Sequence, residues 1–126
     1  VWGYNNRTVA MRIPHSDEAN TRIEHRIAGA DANIYLVTAA VLAGMLHGIE
    51  QGFDPGPPIT GNAYDQTEIR TPFWREAIAA FMGSEFIREQ FGTSFQHIYG
   101  QQKLKEMHSF YTEVTDLEYA WYLRSV

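Results

Sequence analysis

Cysteine is absent from the 126 residues, which excludes disulfide bonds, zinc–thiolate sites and thiol nucleophiles. Basic charge is also scarce, since ten Lys and Arg stand against fifteen Asp and Glu, so the sequence predicts no nucleic-acid surface. The most apolar stretch, residues 32–49, includes Asn33, Thr38 and His47. It is typical of a buried helix and not of a membrane span. We therefore expect a cytoplasmic protein that binds neither nucleic acid nor a membrane.

Apolar and aromatic residues are plentiful, at 44% and 13% of the chain. With a formal net charge of only −5, this composition predicts one compact domain and argues against disorder. The first residue is Val1 and not Met, and no secretory signal pattern follows it. We therefore expect a chain that was cut or processed from a larger protein.

An α+β fold is predicted, with two short strands followed by a mainly helical layer. Residues 8–13 and 22–27 are expected to be strands, from their alternating side chains and the turn residues around them. Asp31 or Asn33 can then cap a helix that continues to about Gln51. Because this helix is apolar almost all round, it should be a central one. Two strands make a poor sheet, so their neighbours are expected to come from outside this chain.

The later helices are bounded by loop and capping residues. Residues 52–61 are dense in Gly and Pro and predict a loop. Thr71-Pro72 can start the next helix, and a further short helix should begin at Gly83-Ser84 and end at Gly92. The capping-box pattern, which is Ser or Thr followed three residues later by Glu or Gln, occurs at Thr93 with Gln96 and at Thr115 with Glu118.

Charged residues are concentrated between positions 6 and 26. In a strand, Arg22, Glu24 and Arg26 would project from the same face. This row is either the solvated face of an edge strand or the lining of a polar site. In a site, arginine forks would bind phosphate or carboxylate and the carboxylate would bind Mg²⁺, which are the parts needed for phosphoryl transfer. The charged residues singled out are Arg7, Arg12, Arg22, Glu24 and Arg26.

Four short blocks follow one another in the first part of the chain. They are Asn6-Arg7-Thr8, Arg12-Ile13-Pro14, Arg22-Ile23-Glu24-His25-Arg26 and Ala30-Asp31-Ala32-Asn33-Ile34-Tyr35-Leu36. In this order they resemble the C-terminal signature of the glutamine synthetase family, and the resemblance covers essentially the whole chain. The sequence at residues 24–26 and 29–33 is similar to the branch that makes γ-glutamylpolyamines such as γ-glutamylputrescine.

The resemblance implies an ATP-dependent ligase that phosphorylates the γ-carboxylate of glutamate and joins it to an amine, with Mg²⁺ or Mn²⁺ present. At the matching positions, Arg7 would contact the transferring phosphate and glutamate, and Arg12 would contact ATP. Arg22 would lie near the nucleotide. Glu24 would bind the metal ion, and Arg26 would hold glutamate.

The same resemblance implies that residues 1–126 are a C-terminal fragment of the catalytic domain, with strands over about 8–28 and a helical part over about 31–126. The N-terminal β-grasp domain and the other metal ligands would lie upstream, so the fragment alone would be inactive. The full-length protein would form a homo-oligomeric ring.

Two departures and two alternatives accompany this interpretation. Ala19 stands where several bacterial members carry a basic residue, and Ile34 stands where the family usually has proline. The parent could instead be a glutamine synthetase that uses ammonia, or a non-catalytic structural protein of the same family. The five histidines lack the spacing of a helical zinc site, so no metal role is assigned to them.

Overall fold

The computed structural model describes residues 1–66 and 73–125. The chain divides into two compact units, Val1–Ile69 and Arg70–Val126. The predicted α+β class is confirmed, because short strands come first and helices follow. The predicted helix start at Thr71-Pro72 lies outside the described residues. The strands are β1 (Trp2–Tyr4), β2 (Met11–Ile13) and β3 (Glu24–His25), and the helices are α1 (Ile34–Glu50), α2 (Trp74–Gly83), α3 (Glu85–Phe91), α4 (Thr93–Thr112) and α5 (Asp116–Tyr122), with short 3-10 turns at Glu18–Asn20 and Ala63–Asp65.

The sheet of the first unit has three strands in the order β1-β2-β3. β2 is central; it pairs in parallel with β1 and antiparallel with β3. Both predicted strands exist, but each is shorter than predicted. The expectation that their neighbours come from outside the chain was wrong for β2, whose second neighbour is β1. Three residues, Trp2–Tyr4, are too few for a recognisable alternating pattern, so sequence reasoning missed this strand.

The register of the sheet separates a charged face from an apolar one. Arg12 lies opposite Glu24, and Met11 lies opposite His25. Met11 and His25 line an apolar cleft of about 550 Å³ against α1. The charged pair therefore projects to the other side of the sheet, away from this helix.

Helix α1 follows the prediction in its bounds but not in its burial. Asn33 is the cap, and its side chain accepts hydrogen bonds from the backbone N–H groups of Tyr35 and Leu36. No residue of α1 is buried within the described chain, and Tyr35 and Ile49 are 83% and 76% exposed. The expectation of a central helix is therefore wrong for the described residues, because three short strands cover only one side of an apolar cylinder. No helix among residues 1–66 and 73–125 is both long and apolar enough to cross a membrane.

The second unit is built on the packing of α2 against α4. Ile78 of α2 and Met107 of α4 are both buried. Gly100 of α4 is in close contact with Met82, since a Cβ added there would lie 2.6 Å from the Met82 Cγ atom. The close approach of the two helices therefore depends on the absence of a side chain at this glycine.

The two predicted capping boxes have different outcomes. Thr115 and Glu118 form one at the start of α5, as predicted. Thr93 and Gln96 do not, because the cap of α4 is Gly92 and no side chain bonds there. The buried Gln96 amide instead donates to the carbonyl oxygens of Phe81 and Ser84, both at 2.8 Å. These carbonyls lie where α2 ends and α3 begins, and each also accepts a backbone hydrogen bond, from Ser84 and from Arg88. A contact distant in sequence therefore replaced the local one.

Gln96→Leu is expected to lower the free energy of unfolding of the full-length protein by about 1–3 kcal/mol, because it removes two short hydrogen bonds made by a buried side chain. Chemical denaturation monitored by circular dichroism measures this change. Gln102→Leu is the matched control, since the exposed Gln102 amide bonds only to the Glu106 side chain at 3.2 Å. It should change stability by less than about 0.5 kcal/mol. Equal effects of the two substitutions would contradict the role given to Gln96.

Candidate functional site

The charged face of the sheet is centred on an ion pair between β2 and β3. Nη1 of Arg12 lies 2.9 Å from Oε2 of Glu24, and the two side chains are 14% and 31% exposed. Nη2 of Arg12 donates to Oδ1 of Asn5 at 2.6 Å. The Nε atom of Arg12 is buried and has no hydrogen-bond partner among the described residues. Two hydrogen bonds therefore hold the Arg12 side chain, one to Glu24 and one to Asn5.

Arg22 approaches the same carboxylate from solvent. Its Nη2 atom lies 3.8 Å from Oε1 of Glu24, beyond hydrogen-bonding distance, and its side chain is 58% exposed. Nη1 of Arg22 donates to the carbonyl oxygen of Asn20 at 3.4 Å, which is a long contact. Within the described chain, Oε1 of Glu24 therefore accepts no hydrogen bond, although it faces a guanidinium group.

Arg26 and Arg7 are linked through the main chain. The backbone N–H of Arg26 donates to the carbonyl oxygen of Ala10 at 2.9 Å. Nη2 of Arg26 donates to the carbonyl oxygen of Arg7 at 3.1 Å. The guanidinium group of Arg7 makes no hydrogen bond or ion pair with a described residue, and it borders an open cleft of about 520 Å³. Both arginines are exposed, so most of their donors are available to a ligand.

The electrostatic effect of this arrangement falls on Glu24. The hydrogen bond from Arg12 holds the pKa of the Glu24 carboxyl below its usual value. Partial burial opposes that shift, and the positive charges of Arg12, Arg22 and Arg26 add to it. Glu24 is therefore a carboxylate at neutral pH, surrounded by positive charge.

The five predicted site residues lie in one region, but the predicted strand alternation is not what brings them together. Simple strand alternation was expected to align Arg22, Glu24 and Arg26. β3 contains only Glu24 and His25, so both arginines lie outside the strand. Their charges still act on Glu24, and Arg12 from the neighbouring strand makes the closest contact with it. In the row of Arg22, Glu24 and Arg26, the two arginines are exposed to solvent and Glu24 is partly buried. The row therefore has features of a solvated strand face and of a polar site.

Among the described residues, Glu24 is the candidate ligand for a metal ion in this region. Across residues 1–66 and 73–125, no three His, Asp or Glu side chains are grouped closely enough to hold an ion. Glu24 can supply one oxygen ligand to a metal ion, because its Oε1 atom accepts no hydrogen bond from a described residue and its side chain is partly exposed. Further ligands for a hard divalent cation would have to come from other parts of the protein.

Sequence reasoning missed the asparagines beside Arg7. Asn5 adopts a positive φ of 48° and accepts the hydrogen bond from Arg12. Asn6 binds distant backbone carbonyls with its side-chain amide. An Asn-Asn pair directly before an arginine was an available signal, because asparagine tolerates left-handed backbone and bonds readily to main-chain groups.

Comparison with known proteins identifies the family. Residues 1–122 match the family described as "Glutamine synthetase, catalytic domain". γ-Glutamylputrescine synthetase of Escherichia coli (strain K12) is 40% identical over 125 residues, which are 98% of this chain and 26% of that protein. Glutamate–isopropylamine ligase of a Pseudomonas species is 41% identical over 126 residues, which are 97% of this chain and 28% of that protein.

A solved structure gives the same result for the fold. The structure described as "Apo GmaS without ligand" superposes with a TM-score of 0.75 at 28% sequence identity, and it covers 97% of this chain and 29% of that one. The chain thus spans about a quarter of the length of the curated relatives it matches. Since the match covers nearly every residue and both relatives exceed 30% identity, this chain belongs to the glutamine synthetase family and is part of its catalytic domain.

Proposed function

We propose that the full-length parent of this chain is an ATP-dependent ligase that joins the γ-carboxylate of glutamate to an organic amine. In this reaction ATP phosphorylates the γ-carboxylate, and the amine nitrogen then displaces phosphate from the resulting γ-glutamyl phosphate. The observation that carries the proposal is the arginine cluster around the ionised Glu24, in a chain whose family membership extends over residues 1–122. ATP and glutamate are both anionic, and the cluster offers positive charge in excess.

Each arginine has a role that its geometry supports. Arg26 and Arg7 expose planar forks of donors, which suit the paired oxygens of a carboxylate or a phosphate. We assign Arg26 to glutamate, and Arg7 to glutamate and the transferring phosphate. We assign Arg12 and Arg22 to the nucleotide: Arg22 lies largely in solvent, and Arg12 holds the Glu24 carboxylate beside it. Such groups accelerate phosphoryl transfer by positioning the reactants and neutralising the charge that develops.

Glu24 would supply one oxygen ligand to a divalent ion, Mg²⁺ or Mn²⁺. Such an ion, when bound, neutralises phosphate charge during transfer. Within the chain, Arg12 keeps Glu24 ionised and fixes its Oε2 atom, which leaves Oε1 for the ion. The remaining ligands are assigned to other parts of the parent, as is the amine site. No group among the proposed site residues is required as a covalent nucleophile.

The proposed amine is a polyamine such as putrescine. The names of the two relatives reported above both describe glutamate joined to an alkyl amine, at 40% and 41% identity. We further propose that the parent is a cytoplasmic homo-oligomer with a ring of subunits.

The proposal is tested by an amine panel with the full-length protein. Phosphate release from ATP should require glutamate together with an amine, and putrescine should give a higher kcat/KM than ammonia. Ammonia as the best substrate would favour glutamine synthesis. No release with ammonia, putrescine or longer polyamines would favour the non-catalytic alternative.

Arg26→Ala in the full-length protein is expected to raise the KM for glutamate about 10- to 100-fold or to abolish turnover, because a charge-assisted contact to the substrate is lost. Arg26→Lys keeps the positive charge and should be less impaired. Arg88→Ala is the matched control, since Arg88 lies in α3 and, among the described residues, its side chain pairs with Glu85 on the surface. Steady-state kinetics with varied glutamate measure the effect, and unchanged kinetics in Arg26→Ala would count against the assignment.

Glu24→Gln is expected to lower the Tm of the full-length protein by an amount that depends on pH. The folded-state pKa of Glu24 lies below its unfolded value of about 4.3, so the ion pair contributes its full stability above that pH. The contribution is lost as pH falls through the folded-state pKa, where the carboxyl becomes neutral like the amide. Thermal denaturation between about pH 7 and pH 3 measures the difference.

Glu50→Gln is the control for this series, because the exposed Glu50 makes no ion pair with a described residue. A Tm difference for Glu24→Gln that stays constant down to about pH 3 would show that the Arg12–Glu24 pair is not its source.

A further inference from the structure

A segment with no charged side chain, residues 59–63, lies against the turn that carries Arg7. The backbone N–H of Ile59 donates to the carbonyl oxygen of Trp2 at 2.8 Å. A Cβ added at Gly3 would lie only 2.8 Å from the carbonyl oxygen of Ile59, so a glycine in β1 is what permits this approach. Sequence analysis assigned this region to a loop and gave it no functional role.

Asn6 and Thr8, the residues on either side of Arg7, bind this segment with their side chains. Nδ2 of Asn6 donates to the carbonyl oxygens of Gly61 at 2.8 Å and Ile59 at 3.3 Å, across 55 and 53 positions of the chain. Oγ1 of Thr8 accepts a hydrogen bond from the backbone N–H of Ala63 at 2.8 Å.

The two side chains are also bonded to each other. Oγ1 of Thr8 donates to Oδ1 of Asn6 at 2.7 Å, and the backbone N–H of Thr8 donates to the same atom at 2.9 Å. The Asn6 side chain thereby bridges across Arg7 and fixes the turn around it. We call Asn6, Thr8 and the backbone groups of Ile59, Gly61 and Ala63 the Arg7 clamp.

The guanidinium of Arg7 itself has no partner among the described residues, so its position depends on its backbone. That backbone is held by the Arg7 clamp and by the bond from Arg26 to the Arg7 carbonyl. A side chain that must meet a moving phosphate gains from such fixing, because small displacements from the reactive geometry are costly.

We infer that Asn6 and Thr8 are positioning residues that act through Arg7, and that the backbone of residues 59–63 is the support they use. This inference rests on the proposed function for its effect on activity. Neither side chain needs to touch the substrate. Loss of the Arg7 clamp should lower turnover because Arg7 is no longer held in place. The same loss should have a smaller effect when Arg7 itself has been replaced.

The test compares Thr8→Val with Thr8→Ser in the full-length protein, since valine keeps the shape and loses the hydroxyl, whereas serine keeps the hydroxyl. Thr8→Val is expected to lower kcat/KM for glutamate about tenfold or more, mainly through kcat, and Thr8→Ser should stay within about threefold of wild type. Asn6→Ala should match Thr8→Val. Asp54→Ala is the matched control, because Asp54 makes an equally short bond to the backbone of Gly56 in the preceding loop but does not contact residues 6–8.

A double-mutant cycle separates positioning from a general loss of structure. In an Arg7→Lys background, Thr8→Val should lower kcat/KM by less than about threefold further. Equal losses in both backgrounds, or unchanged kinetics in Thr8→Val, would overturn the inference. All assays are run well below the Tm of each variant, so that a stability change alone does not alter the rate.

Hydrogen exchange of the Ala63 amide keeps the clamp testable if the proposed function fails. Thr8→Val should speed that exchange about tenfold or more, and Thr8→Ser should not. A wild-type protein without glutamate-dependent phosphate release would overturn the proposed function. Unchanged Ala63 protection in Thr8→Val would overturn the clamp, whatever the activity.

Discussion

The Arg12–Glu24 pair is the interaction on which the first unit depends. It joins β2 to β3 directly across the sheet, and through Asn5 it also holds the turn that follows β1. An arginine side chain that is only 14% exposed needs a nearby negative charge, because an uncompensated guanidinium is costly away from water. Glu24 supplies that charge, so the register of the sheet and the position of the site have the same physical origin.

The pair also determines the charge that the site presents to a ligand. Arg12 and Glu24 largely neutralise each other, whereas Arg7, Arg22 and Arg26 remain exposed, and most of their donors have no partner among the described residues. A region with this balance attracts anions and resists filling by apolar groups. The charged face is thus suited to anionic ligands, while Met11 and His25 on the apolar face line the cleft beside α1.

The sequence was sufficient for those features that depend on local chemistry. Asn33 caps α1 and Thr115 with Glu118 caps α5, because each group finds its partner within three residues. The same pattern at Thr93 and Gln96 failed, since the carbonyls of Phe81 and Ser84 lie within reach of the Gln96 amide. Local patterns identify polar groups that need partners, but they cannot predict which of two available partners a side chain will bind.

In the candidate site, too, the sequence indicates which residues take part but not where they lie. The residue types around Arg7 were readable from the chain, but the charged row alone fitted both a solvated strand face and a polar site, and only the family resemblance favoured the site. Their placement was not readable, since it comes from bonds to backbone groups more than fifty positions away, in a segment with no charged side chain. Main-chain carbonyls are present at every residue and carry no sequence signal. A support made from them can hold Arg7 while its own side chains vary, so the sequence shows Asn6, Arg7 and Thr8 but not the main-chain groups to which Asn6 and Thr8 bind.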